Sequence, residues 1–206
     1  MTGNWENAIL QVLIFWMLTT PHEFAHAWTA VKLGDDTPRN EGRLTLNPLA
    51  HVDWLGTVIL PAVTVLLSGG FLGWGRPVNT NPYRLRGEMK GLALVALAGP
   101  ASNVVMAAGL ALVAGLLASS SPDLAQLCVM ATRLSLYLAI FNMLPVPPLD
   151  GSKLLLAARA PAMIYEELAR FGFVLLILAM SLTNLGYWMA SASWTGTEFL
   201  LGLFVR

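Results

Sequence analysis

The chain has 206 residues, of which 56% are hydrophobic and 12% charged, and its formal net charge is zero. Soluble domains carry about 25% charged residues, so half that share assigns the chain to a bilayer, and zero net charge leaves no basic field for nucleic acid. The single cysteine, Cys128, excludes an internal disulfide and a cysteine-zinc site, and three histidines (His22, His26 and His51) are too few for the histidine boxes of a membrane di-iron enzyme.

The first apolar run, residues 5–31, carries Glu6 as its only charge apart from the segment His22-Glu23-Phe24-Ala25-His26. Ala25-His26-Ala27 mimics a signal-peptidase site, but no Lys or Arg precedes Lys32, so the run reads as a retained helix over 5–33 with Gly34 as its cap. Residues 35–52 are polar, and the alternation over 42–48 suggests a short strand or hairpin. An apolar stretch over 54–67 is interrupted by Pro61 and ended by Ser68-Gly69-Gly70, and the Gly-rich run 71–78 reads as extended. That run either offers an edge to an extended substrate strand or forms a lid over a cavity.

Helices are expected over 91–117, with Ala98-Gly99-Pro100 in its first part, and over 124–143, ending at Pro145-Val146-Pro147-Pro148. A short helix then leads from Asp150-Gly151 to Arg159, a last span covers 168–189, and 190–206 reads as an interfacial helix. The pattern predicts an all-α polytopic membrane protein. Its core is three transmembrane helices plus a C-terminal span, with a re-entrant segment and short β-hairpin after the first helix. Residues 1–206 form one membrane-embedded domain.

Residues 54–75 decide the topology. If they turn back, ten of the twelve Lys and Arg residues lie on one side, with only Arg133 and Arg206 elsewhere. The positive-inside rule names that side cytoplasmic.

Two histidines at i and i+4 project from one helical face and can place two nitrogens on one metal ion. Glu23 sits beside such an ion, where it can take a proton from water. Ionisable groups within a bilayer are costly and mark function. A third ligand is needed, and the candidates are Glu41, His51, Asp53 and Asp150. In the re-entrant topology Asp150 reaches the same depth on the same side as His22 and His26. The proline break before it frees backbone groups and leaves room for water. Asp150 also has an alternative use as a helix N-cap.

Three stretches in order carry a resemblance: His22-Glu23-Phe24-Ala25-His26, Ala98-Gly99-Pro100-Ala101-Ser102-Asn103, and Asn142-x-x-Pro145-x-x-Pro148-Leu149-Asp150-Gly151. Together they resemble the site-2 protease family of intramembrane zinc metalloproteases, in particular its minimal subgroup without a PDZ or CBS module. The resemblance implies Zn2+ bound by His22, His26 and Asp150, with Glu23 as general base. It also implies a multi-pass prokaryotic cell-membrane enzyme with its site toward the cytoplasm. The partners it implies are the lipid bilayer and single-span membrane-protein substrates such as anti-sigma factors or signal-peptide remnants; an oligomer is compatible with it.

Asn142 either donates to the oxyanion of the scissile carbonyl or caps carbonyls freed at the helix break. Asn103 either shapes the site or packs beside Gly99. His51 and Asp53 either assist the zinc site and substrate entry or build a loop turn, with Asp53 as an N-cap. The alternative to an enzyme is a non-catalytic metal-binding membrane scaffold or transporter component, which would have no need of Glu23.

Overall fold

The computed structural model describes residues 3–68 and 73–204. Helix α1 spans Gly3–Lys32 and ends where Gly34 takes φ +107°, a left-handed conformation that glycine adopts without strain. Pro21 lies inside α1 and removes one amide donor. Just before it, the Thr19 and Thr20 hydroxyls donate back to the carbonyls of Phe15 (2.8 Å) and Trp16 (3.1 Å). The short α2 covers Thr37–Asn40, and a π-helical turn over Trp54–Ile59 runs into α3, Leu60–Ser68. Then come α4 (Met89–Leu117), α5 (Pro122–Asn142), α6 (Asp150–Ala157), α7 (Ala162–Leu182) and α8 (Leu185–Phe204).

Among the described residues, three helical stretches are each long and apolar enough to cross a membrane: Ala8–Lys32, Met89–Leu117 and Pro122–Asn142. The central helix is α4, which packs against α1, α5, α6 and α8. Its buried face carries Gly91, Ala96, Gly99, Ala107, Ala111 and Ala114, while Val104, Val105, Leu112 and Leu116 point outward and are exposed. In lipid, outward apolar side chains lose nothing, and small residues on the inner face let helix backbones approach. Phe15 and Leu18 of α1 meet Leu134, Leu138 and Phe141 of α5, Leu176 of α7 and Met189 of α8 in the main apolar cluster.

The segment after α2 contains no strand, nor does any other described residue. Over 42–48 the expected hairpin is replaced by a turn and a 3₁₀ turn, Pro48–His51. The reason is local. Pro48 cannot donate to a ladder, the Asn47 side chain accepts from Leu49 N at 3.1 Å, and the Arg43 guanidinium donates to the Ala50 carbonyl.

The apolar segment beginning at Trp54 returns beside its own start. Trp74 N donates to Gly56 O at 3.0 Å, the Thr57 hydroxyl donates to Trp74 O at 3.0 Å, and Arg76 N donates to His51 O at 2.9 Å. Residues 69–72, including the start of the expected extended run 71–78, lie outside the described residues.

The expected last span over 168–189 is two helices. Thr183 is extended (φ −122°, ψ 170°), and its hydroxyl accepts from Leu185 N at 3.1 Å, capping α8. The 174–182 part of α7 and α8 meet at 78°. Residues 190–204 continue α8, with Met189, Ser193 and Thr197 buried. Helix α8 packs on α5 and α4. There the Trp194 ring lies 5.2 Å from the Arg133 guanidinium, a cation–π contact for a charge in the middle of an apolar helix.

Candidate metal centre

Four polar side chains lie buried where α1, α4 and α6 meet: His22, Glu23, His26 and Asp150. The two histidines share one face of α1, with their rings edge to face and centroids 4.7 Å apart. Asp150 is the first residue of α6, immediately after the proline-rich break.

Three atoms converge. His26 Nε2 lies 3.1 Å from His22 Nε2 and 3.0 Å from Asp150 Oδ2, and His22 Nε2 lies 3.1 Å from the same oxygen. On the other side of its ring, the His26 Nδ1–H donates to Val95 O at 2.6 Å. In a neutral imidazole this bond leaves Nε2 as a lone pair. Lone pair then faces lone pair at 3.0 Å, an arrangement that a cation satisfies. A triangle with sides of 3.0–3.1 Å has its centre about 1.8 Å from each corner, a few tenths of an ångström short of zinc's ligand distances of roughly 2.0–2.2 Å, so the three atoms close around a space of about the ion's size. The donor set is one that zinc takes in catalytic sites, with room for a fourth ligand.

Gly99 of α4 forms the floor of this group. A Cβ built there would fall 2.2 Å from His26 Nε2 and 2.6 Å from His22 Nε2. Only a residue without a side chain leaves the space that the three ligand atoms surround.

Asp150 is not the N-cap of α6, a position held by Leu149. Its Oδ2 faces the histidines, while Oδ1 accepts from Lys153 Nζ at 3.1 Å. Lys153 escaped the sequence reading. The available signal was its i+3 spacing from Asp150, which puts both residues on one face of the short α6.

A cavity of about 240 Å³ opens from the metal group. His22, Glu23, Asp150 and Lys153 line one part of it, Asn103, Leu138 and Asn142 another, and Gly73, Trp74, Gly75 and Pro77 of the returning segment a third. Asn142 donates from Nδ2 to Leu138 O at 3.0 Å, so one of its amide hydrogens caps its own helix where the prolines interrupt it.

The remaining candidates stand apart from the metal group. Asp53 caps the π-helical turn, accepting from Gly56 N at 2.9 Å, and also reaches the cavity wall. His51 is fully buried in the loop, donating from Nε2 to Thr45 O at 2.9 Å, and burial pushes its imidazole below the ordinary value. Glu41 is exposed and accepts from Asn79 Nδ2 at 3.1 Å. Among the described residues, His22, His26 and Asp150 are the one group of His, Cys, Asp or Glu side chains placed to hold a metal ion.

Residues 117–180 match the model of "Peptidase family M50". The chain is 36% identical over 196 residues to "Putative zinc metalloprotease YwhC" of Bacillus subtilis, covering 90% of this chain and 86% of that protein. It is 32% identical over 154 residues to "Putative zinc metalloprotease Rip2" of Mycolicibacterium smegmatis, and 30% over 151 residues to the protein of the same name in Mycobacterium tuberculosis. Those matches cover 72% and 71% of this chain and 57% and 56% of the two relatives. No solved structure matches significantly. With its apolar spans and its buried His/His/Asp group, the chain is a membrane metalloprotease. It belongs to peptidase family M50, the site-2 protease family.

Proposed function

We propose that this protein is an intramembrane zinc metalloprotease that hydrolyses peptide bonds within or near the transmembrane segments of single-span membrane proteins. The observation that carries this reading is the shared cavity: His22 and Asp150 of the candidate ligand group line the same space as Glu23, between apolar helices.

His22, His26 and Asp150 hold the ion. When bound, zinc supplies the Lewis acidity that polarises the scissile carbonyl and brings the pKa of water down toward about 7. Glu23 takes the proton from the attacking water and delivers it to the leaving nitrogen. Lys153 keeps Asp150 Oδ1 occupied, so that Oδ2 alone is presented to the metal. Asn142 has a second Nδ2 hydrogen beyond the one given to Leu138 O, and that hydrogen is available to the developing oxyanion. A substrate helix must unwind locally, because its own backbone bonds and side chains shield each peptide group.

The membrane placement follows from the returning segment. At ~1.5 Å per residue, the helix from Trp54 to Ser68 reaches about 22 Å, short of a bilayer core of about 30 Å. Hydrogen bonds from Trp74 and Arg76 tie its return to its start, which supports a re-entrant element. The loops before and after it then share one side with most of the basic residues, so the site of this multi-pass cell-membrane protein faces the cytoplasm.

The test is Glu23→Gln. It should keep stoichiometric zinc and lose cleavage of a reconstituted transmembrane reporter by at least ~100-fold. Full cleavage by that variant would overturn the mechanism, and zinc binding by a wild-type protein that cleaves nothing would favour a metal-binding scaffold.

A further inference from the structure

Asn103 lies four residues after Gly99, about 6 Å further along α4 on the same face. It is completely buried, yet neither Oδ1 nor Nδ2 has a hydrogen-bond partner among the described residues. It lines the cavity that holds Glu23 and Asp150. Helix packing at this level uses its main chain instead: Ser135 Oγ of α5 donates to Asn103 O at 2.8 Å. A buried carboxamide with no partner is destabilising, and leucine, which has nearly the same shape, would fill the position without that cost. Burial, two free hydrogen-bonding atoms and a place on the cavity wall together mark a group that binds something entering the cavity.

We propose that the Asn103 carboxamide binds the main chain of the substrate, about two residues from the scissile bond; this rests on the protease reading above. An unwound segment brings unpaired N–H and C=O groups into a low-dielectric space. Oδ1 accepts the peptide N–H, and Nδ2 donates to a peptide C=O. The offset of about 6 Å from Gly99 corresponds to roughly two residues of extended chain at ~3.3 Å each. Every residue type except proline offers the same pair of groups. Asn103 therefore selects substrates by their readiness to unwind and not by side-chain identity.

The test uses wild type, Asn103→Leu and Asn103→Ala, each zinc-loaded in phosphatidylethanolamine/phosphatidylglycerol liposomes. The probe is an internally quenched transmembrane peptide with a central Ala-Gly-Ser helix-weakening segment. A companion set replaces single backbone amides within three residues of the cleaved bond by esters, which removes one N–H and keeps every side chain. Asn103→Leu should keep its zinc, melt no lower than wild type and lose about 10-fold or more in kcat/KM. One ester, about two residues from the cleaved bond, should slow wild type about 10-fold and leave the rate of Asn103→Leu unchanged. If Asn103→Leu melts lower and cleaves normally, Asn103 is a packing residue and the proposal falls. It falls equally if every ester slows wild type and variant alike. Should the leucine form not fold, Asn103→Ala carries the same ester comparison. Absence of cleavage by zinc-loaded wild type overturns the protease reading and this proposal with it, whereas an active wild type whose esters are uncoupled from Asn103 overturns this proposal alone.

Discussion

The His26 Nδ1–H donates to the Val95 carbonyl at 2.6 Å, so a helix-internal backbone oxygen of α4 sets the tautomer of a candidate metal ligand on α1. Such outer partners orient a metal-binding imidazole and raise its basicity. His22 has no counterpart, since its Nδ1 is buried without a partner among the described residues. His26 is thus the better pre-organised of the two candidate ligands. His26→Ala should lower zinc affinity more than His22→Ala does, measured by competition with a chromophoric chelator; equal losses would show that the Val95 bond contributes nothing.

Asp150→Ala should purify with well under one zinc per chain while keeping its helical circular dichroism. The carboxylate is one corner of the triangle of candidate ligand atoms, and Leu149, not Asp150, stands at the N-cap of α6. Loss of helix together with zinc would indicate that Asp150 supports the fold instead.

Gly99→Ala would place a methyl group 2.2 Å from His26 Nε2. Forcing an extra carbon into a packed site costs about 1–3 kcal/mol. Here the methyl also takes the space that the ligand atoms surround, so metal stoichiometry should drop by more than half. Ala107 lies two turns further along the same face, and Ala107→Gly should leave zinc content unchanged. The paired zinc assays check both.

Lys153→Met should strand the buried Asp150 Oδ1, which accepts from Lys153 Nζ at 3.1 Å. Loss of such an outer partner typically costs 10–100-fold in metal affinity. Lys153→Arg restores a cation and should recover part of it. If methionine and arginine behave alike in the chelator competition, Lys153 has no orienting role.

A cysteine placed at the exposed Tyr83, in a Cys128→Ala background, should react with a membrane-impermeant maleimide only from the cytoplasmic face. Labelling from outside would mean that the segment after Trp54 crosses the bilayer.

Much of this was legible in the order of residues, because the signals are local or chemical. A low charge share and long apolar runs require helices in a bilayer, where every backbone group must be satisfied within the chain. The i, i+4 spacing of His22 and His26 puts both rings on one face of α1 whatever surrounds them. The Gly34 cap and the break after Asn142 follow from backbone sterics at glycine and proline.

Where the sequence misled, two local patterns competed. The alternation over 42–48 has the period of a strand, yet Pro48 removes a donor and Asn47 caps a 3₁₀ turn. The run over 168–189 is apolar apart from Arg170, Ser181, Thr183 and Asn184, and the capping geometry of Thr183 shows that it breaks at the last two.

Sequence alone thus determined the membrane class, the helix ends set by glycine and proline, and the two histidines with Glu23 between them. The family resemblance added Asp150 as their partner, and only the tertiary structure decided how closely its carboxylate approaches them, why Gly99 must lack a side chain, that Lys153 holds the far oxygen of Asp150, and that the Asn103 carboxamide is buried unpaired. Those relationships join residues far apart in the chain: Asp150 lies 124 positions from His26 and shares a 3.0 Å contact with it. Spacing along a helix fixes which side chains share its face, but which helix that face meets is settled by packing.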